Sequence, residues 1–303
     1  MTLKTGRGHI AYNTAVPEAE EYKAKSIRIR DISSLISKLK EKGIYVIARI
    51  TVFQDPVLAK ARPDLAVHSK NKLSALGFPS VSSLWFDNSG LAWIDPAAKE
   101  SWDYNVAIAR EAVGLGFDEI NFDYIRFPSD GNLQDMSFTF WDGSTPKSLI
   151  MREFFEHLRQ ELPDAKLSID LFGLSTVNYD DLGIGQVIED SFEYFDYICP
   201  MVYPSHYAPG FLNHHNPAVY PYEVVKYSMD SALKRLAVFS QSKEINARLR
   251  PWLQDFNLGA VYDDNMVRMQ IEAVYDSAKD DFNGFMLWNS SNVYTKGALL
   301  PDA

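Results

Sequence analysis

The chain has 303 residues, of which 46% are hydrophobic and 23% are charged, and its formal net charge is −10. This length permits a large apolar core, and the acidic balance makes nucleic acid and anionic membrane surfaces unfavourable partners. A single cysteine, Cys199, excludes an intrachain disulfide and a cysteine-based zinc site. No apolar run approaches the roughly 20 residues of a membrane-spanning helix, and no apolar signal-peptide region follows Met1.

The hydrophobic pattern alternates between helix and strand periodicity, and the first clear helix–strand pair occupies residues 31–50. Asp31 is predicted to cap a helix whose apolar residues recur every three or four positions, and Gly43 is predicted to end it. The run Ile44–Ile50 is nearly continuous in apolar residues and predicts a strand that is covered on both faces. A second helix is predicted to begin at Asp95-Pro96, with the aspartate as its cap.

The same alternation continues to the end of the chain. Further helices are predicted after Pro146, around Ile188, after Pro221 and after Asp264. Strand–helix alternation of this kind predicts an α/β fold in which helices wrap a parallel sheet. No repeat or linker divides the sequence, so we expect a single domain over residues 1–303. The six clear strands that we predict are Ile44–Ile50, Phe117–Phe127, Lys166–Phe172, Tyr197–Tyr203, Arg248–Phe256 and Gly284–Asn289.

Each predicted strand ends in polar or aromatic residues. Because the carboxyl ends of parallel strands meet at one face of such a fold, we expect these residues to collect there. Aromatic rings stack on sugars, arginine and amide groups bind hydroxyls, and paired carboxyl groups act as acid and nucleophile, so the set is typical of a carbohydrate site. The candidates are Arg49, Asp123, Arg126, Asp170, Tyr203, His206, Trp252, Gln254, Asp255, Trp288 and Asn289.

Asp123 is the strongest candidate among the carboxylates. It lies inside an apolar strand, where an unpaired charge costs several kcal/mol. Two explanations account for a charge in this position, a function and a firm ion pair with Arg49 or Arg126. For Asp123 we favour a functional role over a purely structural ion pair.

The other candidates have structural alternatives of equal weight. Asp170 and Asp255 each stand near the end of a predicted strand, where an aspartate often serves only as the cap of the next helix. Trp252 and Trp288 fit a substrate-binding surface and an ordinary hydrophobic core equally well. The sequence leaves these alternatives open.

Three strings are distinctive: FDYIRFPSDG (Phe122–Gly131), YPSHY (Tyr203–Tyr207) and WLQDF (Trp252–Phe256). Together with further stretches that cover most of the chain from Gly8 to Thr295, they resemble a bacterial family called "putative glycosyl hydrolase domain". This resemblance implies a TIM-type (β/α)8 barrel, distantly similar to the α-amylase-like and α-galactosidase-like barrels, and it implies glycosidase activity.

The resemblance also implies roles for individual residues. Asp123 occupies the place of the nucleophile at the end of the fourth barrel strand. The acid/base would come from a later strand, with Asp170 and Asp255 as the candidates. Tyr203 or His206 would line the sugar subsite.

The barrel of that family has two more strands before the helix at Asp31. We therefore expect an N-terminally shortened barrel that lacks its first two strands, with Gly8–Asn13 as a candidate remnant strand. An incomplete barrel exposes an apolar edge, so a homo-oligomer formed through that edge is an expected partner. The sequence assigns no location, and the shortened start is compatible with an extracytoplasmic or cell-envelope site.

The leading hypothesis is a retaining glycoside hydrolase that acts on a poly- or oligosaccharide through a carboxylate pair, without a cofactor or metal. The alternative is a non-catalytic carbohydrate-binding barrel in which aromatic residues bind glycan and the carboxylates are structural. A third hypothesis is a metal-assisted hydrolase that uses His206 and Asp123. The sequence does not identify the sugar, the linkage, or endo or exo action.

Overall fold

The computed structural model describes residues 1–299, which group into two compact units. The first unit comprises residues 1–169 and 183–186, and the second comprises residues 170–182 and 187–299. Each unit contains mostly parallel strands that alternate with helices, which confirms the predicted α/β class.

The first unit contains one sheet with the strand order β8-β6-β4-β1-β2-β3 and a small two-stranded sheet, β5-β7. All pairs of the larger sheet are parallel except β1 with β2. The strands are β1 (Thr2–Lys4), β2 (Ile10–Tyr12), β3 (Lys25–Ile29), β4 (Ile47–Thr51), β5 (His68–Ser69), β6 (Glu119–Asp123), β7 (Met136–Ser137) and β8 (Leu167–Phe172), of which the first three residues belong to this unit.

Three helices of the first unit were predicted, one of them with a wrong start, and three more were not predicted. Asp31 caps its helix as predicted, because its side chain accepts a hydrogen bond from the Ser34 N–H (2.9 Å). The helices are α1 (Pro17–Glu21), α2 (Ile32–Lys40), α3 (Pro56–Ala61), α4 (Lys70–Leu76), α5 (Lys99–Gly114) and α6 (Lys147–Glu161).

The prediction of a helix cap at Asp95-Pro96 is wrong, because α5 begins only at Lys99. The Asp95 carboxylate is fully buried and accepts hydrogen bonds from the backbone N–H groups of Phe140 (2.7 Å) and Trp141 (3.1 Å). Burial raises the pKa of Asp95 above its ordinary value. This aspartate therefore fixes the distant loop that precedes α6.

Three strands precede α2, and only one of them was expected, as the remnant strand that the family resemblance implies. β2 lies within the predicted segment Gly8–Asn13, whereas β1 and β3 were not predicted. β1 has three residues, and β3 is a half-exposed edge strand of mixed polarity, KSIRI, so neither gives a clear apolar signal. The count of six strands is not confirmed.

The second unit contains a parallel sheet with the order β12-β11-β9, and β10 also pairs with β9. The predicted strand Arg248–Phe256 is divided in two because Pro251, which has no N–H group, interrupts it. The elements are α7 (Ile188–Ser191), β9 (Tyr197–Met201), α8 (Pro221–Phe239), β10 (Arg248–Leu249), β11 (Trp252–Gln254), α9 (Asp264–Ala278) and β12 (Met286–Trp288), together with the last three residues of β8.

Each unit holds a buried ion pair that joins distant parts of its chain. In the first unit, Lys4 at the end of β1 lies 2.7 Å from Asp55 after β4, and both side chains are fully buried. Lys4 also donates to the Thr51 carbonyl (2.9 Å) and to the Asn105 side chain (2.9 Å). The Lys4 ammonium group is therefore surrounded by oxygen acceptors.

In the second unit, Arg235 of α8 pairs with Glu189 of α7. Its guanidinium also donates to the carbonyl oxygens of Ser175 and Asn178, both at 2.7 Å. Arg235 thus ties the segment after β8 and the short helix α7 to α8.

We predict that Asp55→Ala lowers the free energy of unfolding by about 3–5 kcal/mol, because the Lys4 charge stays buried without its carboxylate. Chemical denaturation followed by tryptophan fluorescence measures this change. The double variant Lys4→Met/Asp55→Ala removes the stranded charge and should be more stable than the single variant. Equal stability of the single and double variants would contradict the explanation by charge burial.

The control is Glu153→Ala, which removes an exposed partner of Lys99. Their side chains are 51% and 71% exposed and lie 3.2 Å apart. Because water and salt screen such pairs, this change should alter stability by less than about 1 kcal/mol.

Candidate functional site

The ends of β4 and β6 bring Arg49 and Asp123 together. The two strands are parallel and in register, with Thr51 opposite Asp123. The Arg49 guanidinium donates to Asp123 Oδ2, and both side chains are largely buried. The ion pair that the sequence offered as one explanation for Asp123 is therefore formed with Arg49.

The residue after Asp123 fixes the direction of this carboxylate. Tyr124 has a φ angle of 53°, in the left-handed region that non-glycine residues rarely adopt. Its N–H donates to Asp123 Oδ1 at 2.6 Å. The two carboxylate oxygens of Asp123 are thus held by a guanidinium group on one side and by the backbone on the other.

Arg126 lies in an aromatic setting beside this pair. Its guanidinium is 4.8 Å from the centre of the Trp93 ring and 5.3 Å from that of Tyr124, which are cation–π distances. Burial lowers the pKa of Arg126 below its ordinary value. Trp93 in turn donates its indole N–H to Asp87 (2.9 Å), which also accepts from Gln54 (2.9 Å).

In the second unit, Asp170 contacts one of the two tryptophans predicted at strand ends, and that tryptophan packs against the other. The Trp252 indole N–H donates to Asp170 Oδ1 at 2.7 Å. Trp252 and Trp288 pack edge to face, with ring centres 5.7 Å apart. A buried carboxylate therefore stands next to partly exposed indole rings, which is a chemically suitable arrangement for a sugar.

Asp255 has a different environment. Its two oxygens accept hydrogen bonds from the N–H (2.9 Å) and the hydroxyl (2.6 Å) of Thr295. Its backbone carbonyl accepts from the side-chain amide of Asn289, whose own oxygen accepts from the Ser291 N–H (2.8 Å). Asp255 and Asn289 thus organise the segment that follows β12.

Gln254 is fully buried and connects two loops. Its side-chain oxygen accepts from the Ser205 N–H (3.1 Å), and its side-chain nitrogen donates to the Phe256 carbonyl (2.9 Å). Its backbone N–H and carbonyl are both bonded to the side chain of Gln270. The amide predicted to bind hydroxyl groups is engaged within the protein.

Tyr203 and His206 form an aromatic cluster with Phe256. The ring centres of Tyr203 and His206 are 5.2 Å apart, and those of Tyr203 and Phe256 are 5.6 Å apart. Tyr203 is buried, whereas His206 keeps an exposed edge. Loss of water around the ring lowers the pKa of His206 below 6.5.

The predicted site residues therefore form separate groups within each unit. Arg49, Asp123 and Arg126 lie around the end of β6, and Asp170 lies with Trp252 and Trp288. Three further residues next to this group were not predicted. Gln54, Asp87 and Trp93 lie outside helices and strands in the long segment between β4 and α5, where no periodic pattern marks them.

Two further findings concern cofactors and membranes. Within residues 1–299, no group of three or more histidine, cysteine, aspartate or glutamate side chains is arranged to hold a metal ion. None of the helices in this same range is sufficiently long and apolar to cross a membrane.

Comparison with known proteins gives one family and several structural neighbours. The family described as "Putative glycosyl hydrolase domain" matches residues 1–294. Among proteins with curated descriptions, none matches this chain.

Three solved structures illustrate the similarity. A hypothetical protein from Ruminiclostridium thermocellum is 36% identical over 60% of this chain and 82% of its own, with a TM-score of 0.49. The PgaB (BpsB) glycoside hydrolase domain from Bordetella bronchiseptica is 13% identical over 95% of this chain and 82% of its own, with a TM-score of 0.61. The α-galactosidase TtGalA from Thermus thermophilus is 12% identical over 88% of this chain and 48% of its own, with a TM-score of 0.51. At these low identities, the two hydrolases show a similar fold.

We predict that His206 titrates below pH 6.5 in an NMR experiment, because the surrounding rings disfavour its charged form. Phe256→Ala admits water and should move the midpoint towards 6.5, whereas Phe256→Leu keeps an apolar neighbour and should move it less. A midpoint at or above 6.5 in the unmodified protein would contradict this account.

Proposed function

Because the chain belongs to the "Putative glycosyl hydrolase domain" family, we propose that it is a retaining glycoside hydrolase acting on a poly- or oligosaccharide. The single domain and the TIM-type barrel predicted from the sequence are part of this proposal. The observation that carries it is the Asp123 carboxylate, which Arg49 and the Tyr124 N–H hold at the carboxyl end of β6.

We assign the role of nucleophile to Asp123, because it is the carboxylate held at the carboxyl end of β6. The acid/base is one of two later carboxylates, and we propose Asp170 for this role.

Asp255 was the other candidate for the acid/base. Both of its carboxylate oxygens accept hydrogen bonds from Thr295, so a proton on this group would disturb a structural contact. The Asp170 carboxylate instead meets an indole N–H and partly exposed aromatic rings. This difference favours Asp170 as the acid/base and a structural role for Asp255.

The proposed reaction has two steps. Asp123 attacks the anomeric carbon while the glycosidic C–O bond breaks, and the protonated Asp170 gives its proton to the leaving oxygen. Water then attacks the glycosyl–Asp123 ester while Asp170 takes the proton of the water, which releases the sugar and restores both carboxyl groups. This mechanism requires a separation of about 5–5.5 Å between the carboxyl groups, whereas inversion requires roughly 6.5–9.5 Å.

The remaining candidates divide into binding and positioning residues. Trp252 and Trp288 would stack on sugar rings, and Tyr203 and His206 would line a subsite. Arg49 orients the nucleophile. The other predicted binding residues would support the site through contacts within the protein rather than bind the sugar directly: Arg126, Gln254 and Asn289.

A second candidate function is a non-catalytic carbohydrate-binding protein. One observation favours it: Asp123 is already bonded to Arg49, as a purely structural buried charge would be. In that case the aromatic residues bind glycan and no bond is broken.

The first test is Asp123→Asn, assayed on a panel of glycans that includes p-nitrophenyl α-D-galactopyranoside, the ligand of the TtGalA structure. Hydrolysis should be lost, because an amide is a poor nucleophile. The variant should still fold, with a stability loss of about 1–3 kcal/mol, because Arg49 keeps a hydrogen-bond acceptor. Loss of folding, or unchanged hydrolysis, would favour a structural role for the ion pair.

The second test compares Asp170→Ala with Asp255→Ala on the substrate found in that panel. Asp170→Ala should lower kcat by about 10²–10⁴-fold while sparing substrates whose leaving group needs no proton. Asp255→Ala should mainly lower the melting temperature, and Thr295→Val should do the same. NMR of the first product formed should show the anomeric configuration of the substrate, and the opposite configuration would exclude a retaining mechanism.

A further inference from the structure

An exposed aromatic ring in the second unit is held in a fixed position by its neighbours, and we call this ring and its support the platform. Tyr220, directly before α8, stacks on His214 with ring centres 3.7 Å apart and planes 12° from parallel. His214 Nε2 is 2.7 Å from Glu223 Oε2. The tyrosine ring is therefore supported on one face by an imidazole ring that is itself held in place.

The support of Tyr220 leaves much of its ring open. The residue is 40% exposed although His214 covers one of its faces. Sugar rings present flat patches of C–H groups, and a rigid aromatic ring with one free face binds them with little loss of side-chain freedom. Polar groups that suit hydroxyls stand beside it in the chain, the half-exposed Glu223 carboxylate and the exposed His215.

The loop that carries His214 is held in an uncommon conformation. Leu212 and Asn213 both have positive φ angles, 52° and 65°, which non-glycine residues rarely adopt. The Gly210 N–H closes this loop by donating to the His214 carbonyl at 2.8 Å. Backbone strain of this kind collects at functional sites, where the surrounding structure maintains it.

The platform lies at the carboxyl ends of the parallel strands of its unit. The loop before Tyr220 follows β9, and Asn216 in that loop donates to the carbonyl of Gly259 (2.8 Å), in the loop after β11. The second loop also carries two exposed apolar residues, Leu258 and Val261. Binding groups of α/β enzymes gather at this end of the strands.

We propose that Tyr220 is a sugar-stacking subsite, distinct from the subsite at Trp252 and Trp288, and that the substrate is a glycan long enough to occupy both. This inference rests on the proposed function, because it takes the ligand to be a carbohydrate. It identifies the substrate class as an extended oligo- or polysaccharide, because stacking on both aromatic groups at once takes at least two sugar rings.

The experiment compares Tyr220→Ala and Tyr220→Phe with Tyr275→Ala. Tyr275 is a matched control, because it is 46% exposed and stacks on Phe282 at 3.9 Å and 15°, but it lies near the other end of its helix, α9. Melting temperatures first establish that each variant folds. The readout is the ratio of kcat/KM for a long oligosaccharide to that for the shortest one cleaved, both from the glycan identified by the panel.

We expect Tyr220→Ala to lower this ratio by about three- to tenfold, the range of one aromatic stacking contact. Tyr220→Phe, which keeps the ring, and Tyr275→Ala should leave the ratio unchanged. An equal ratio in all variants would overturn the inference while leaving the proposed hydrolase intact. A change of oligomeric state in Tyr220→Ala, seen by light scattering, would also overturn it, because the ring would then serve a protein contact.

A binding measurement tests this inference even if the proposed hydrolase function is wrong. If no glycan is hydrolysed, calorimetry with the same oligosaccharides tests the platform alone. Weaker binding of long chains by Tyr220→Ala than by Tyr275→Ala would support the subsite in a non-catalytic protein. Binding of no oligosaccharide by the unmodified protein would overturn it.

Discussion

Charged groups that are buried at the carboxyl ends of parallel strands need partners inside the protein, and this requirement shapes the first unit. Lys4 meets Asp55 and three oxygen acceptors, and Asp123 meets Arg49 and a backbone N–H. Removing one member of such a pair leaves an uncompensated charge, which costs more than the pair itself contributes. The loops above the strands are therefore held by electrostatic contacts that join residues far apart in the chain.

The kind of partner distinguishes structural carboxylates from those suited to chemistry. Asp95 and Asp255 bind N–H and hydroxyl groups of loop residues, so their oxygens serve to fix the chain. Asp123 binds a guanidinium group in addition to a backbone N–H, and Asp170 binds an indole N–H beside a second indole ring. Neighbours of this second kind also fit a sugar, because they combine a charge, a donor and apolar ring faces.

Fully buried helices and strands can be predicted from the sequence more reliably than contacts between distant loops. The strand at Lys166–Phe172 follows from apolar residues at alternate positions, and the opposite charges of Arg49 and Asp123 made their pairing one expected arrangement. The prediction for Asp95 was wrong because its local sequence is the same whether the carboxylate caps the next helix or binds a backbone N–H 45 positions away. Thr295 could not be linked to Asp255 for the same reason, since no local rule connects residues 40 positions apart.

Tyr124 shows how such a conflict between local and tertiary preferences is resolved. A left-handed backbone at a non-glycine residue costs about 1–2 kcal/mol, and glycine would avoid that strain. Glycine would also remove the ring that lies 5.9 Å from Trp93 and 5.3 Å from the Arg126 guanidinium. Contacts of these two kinds contribute about 0.5–1.5 kcal/mol and 0.5–2 kcal/mol, so together they offset the strain. The same backbone turn directs the Tyr124 N–H at Asp123, so the strained residue both retains its side chain and orients the carboxylate.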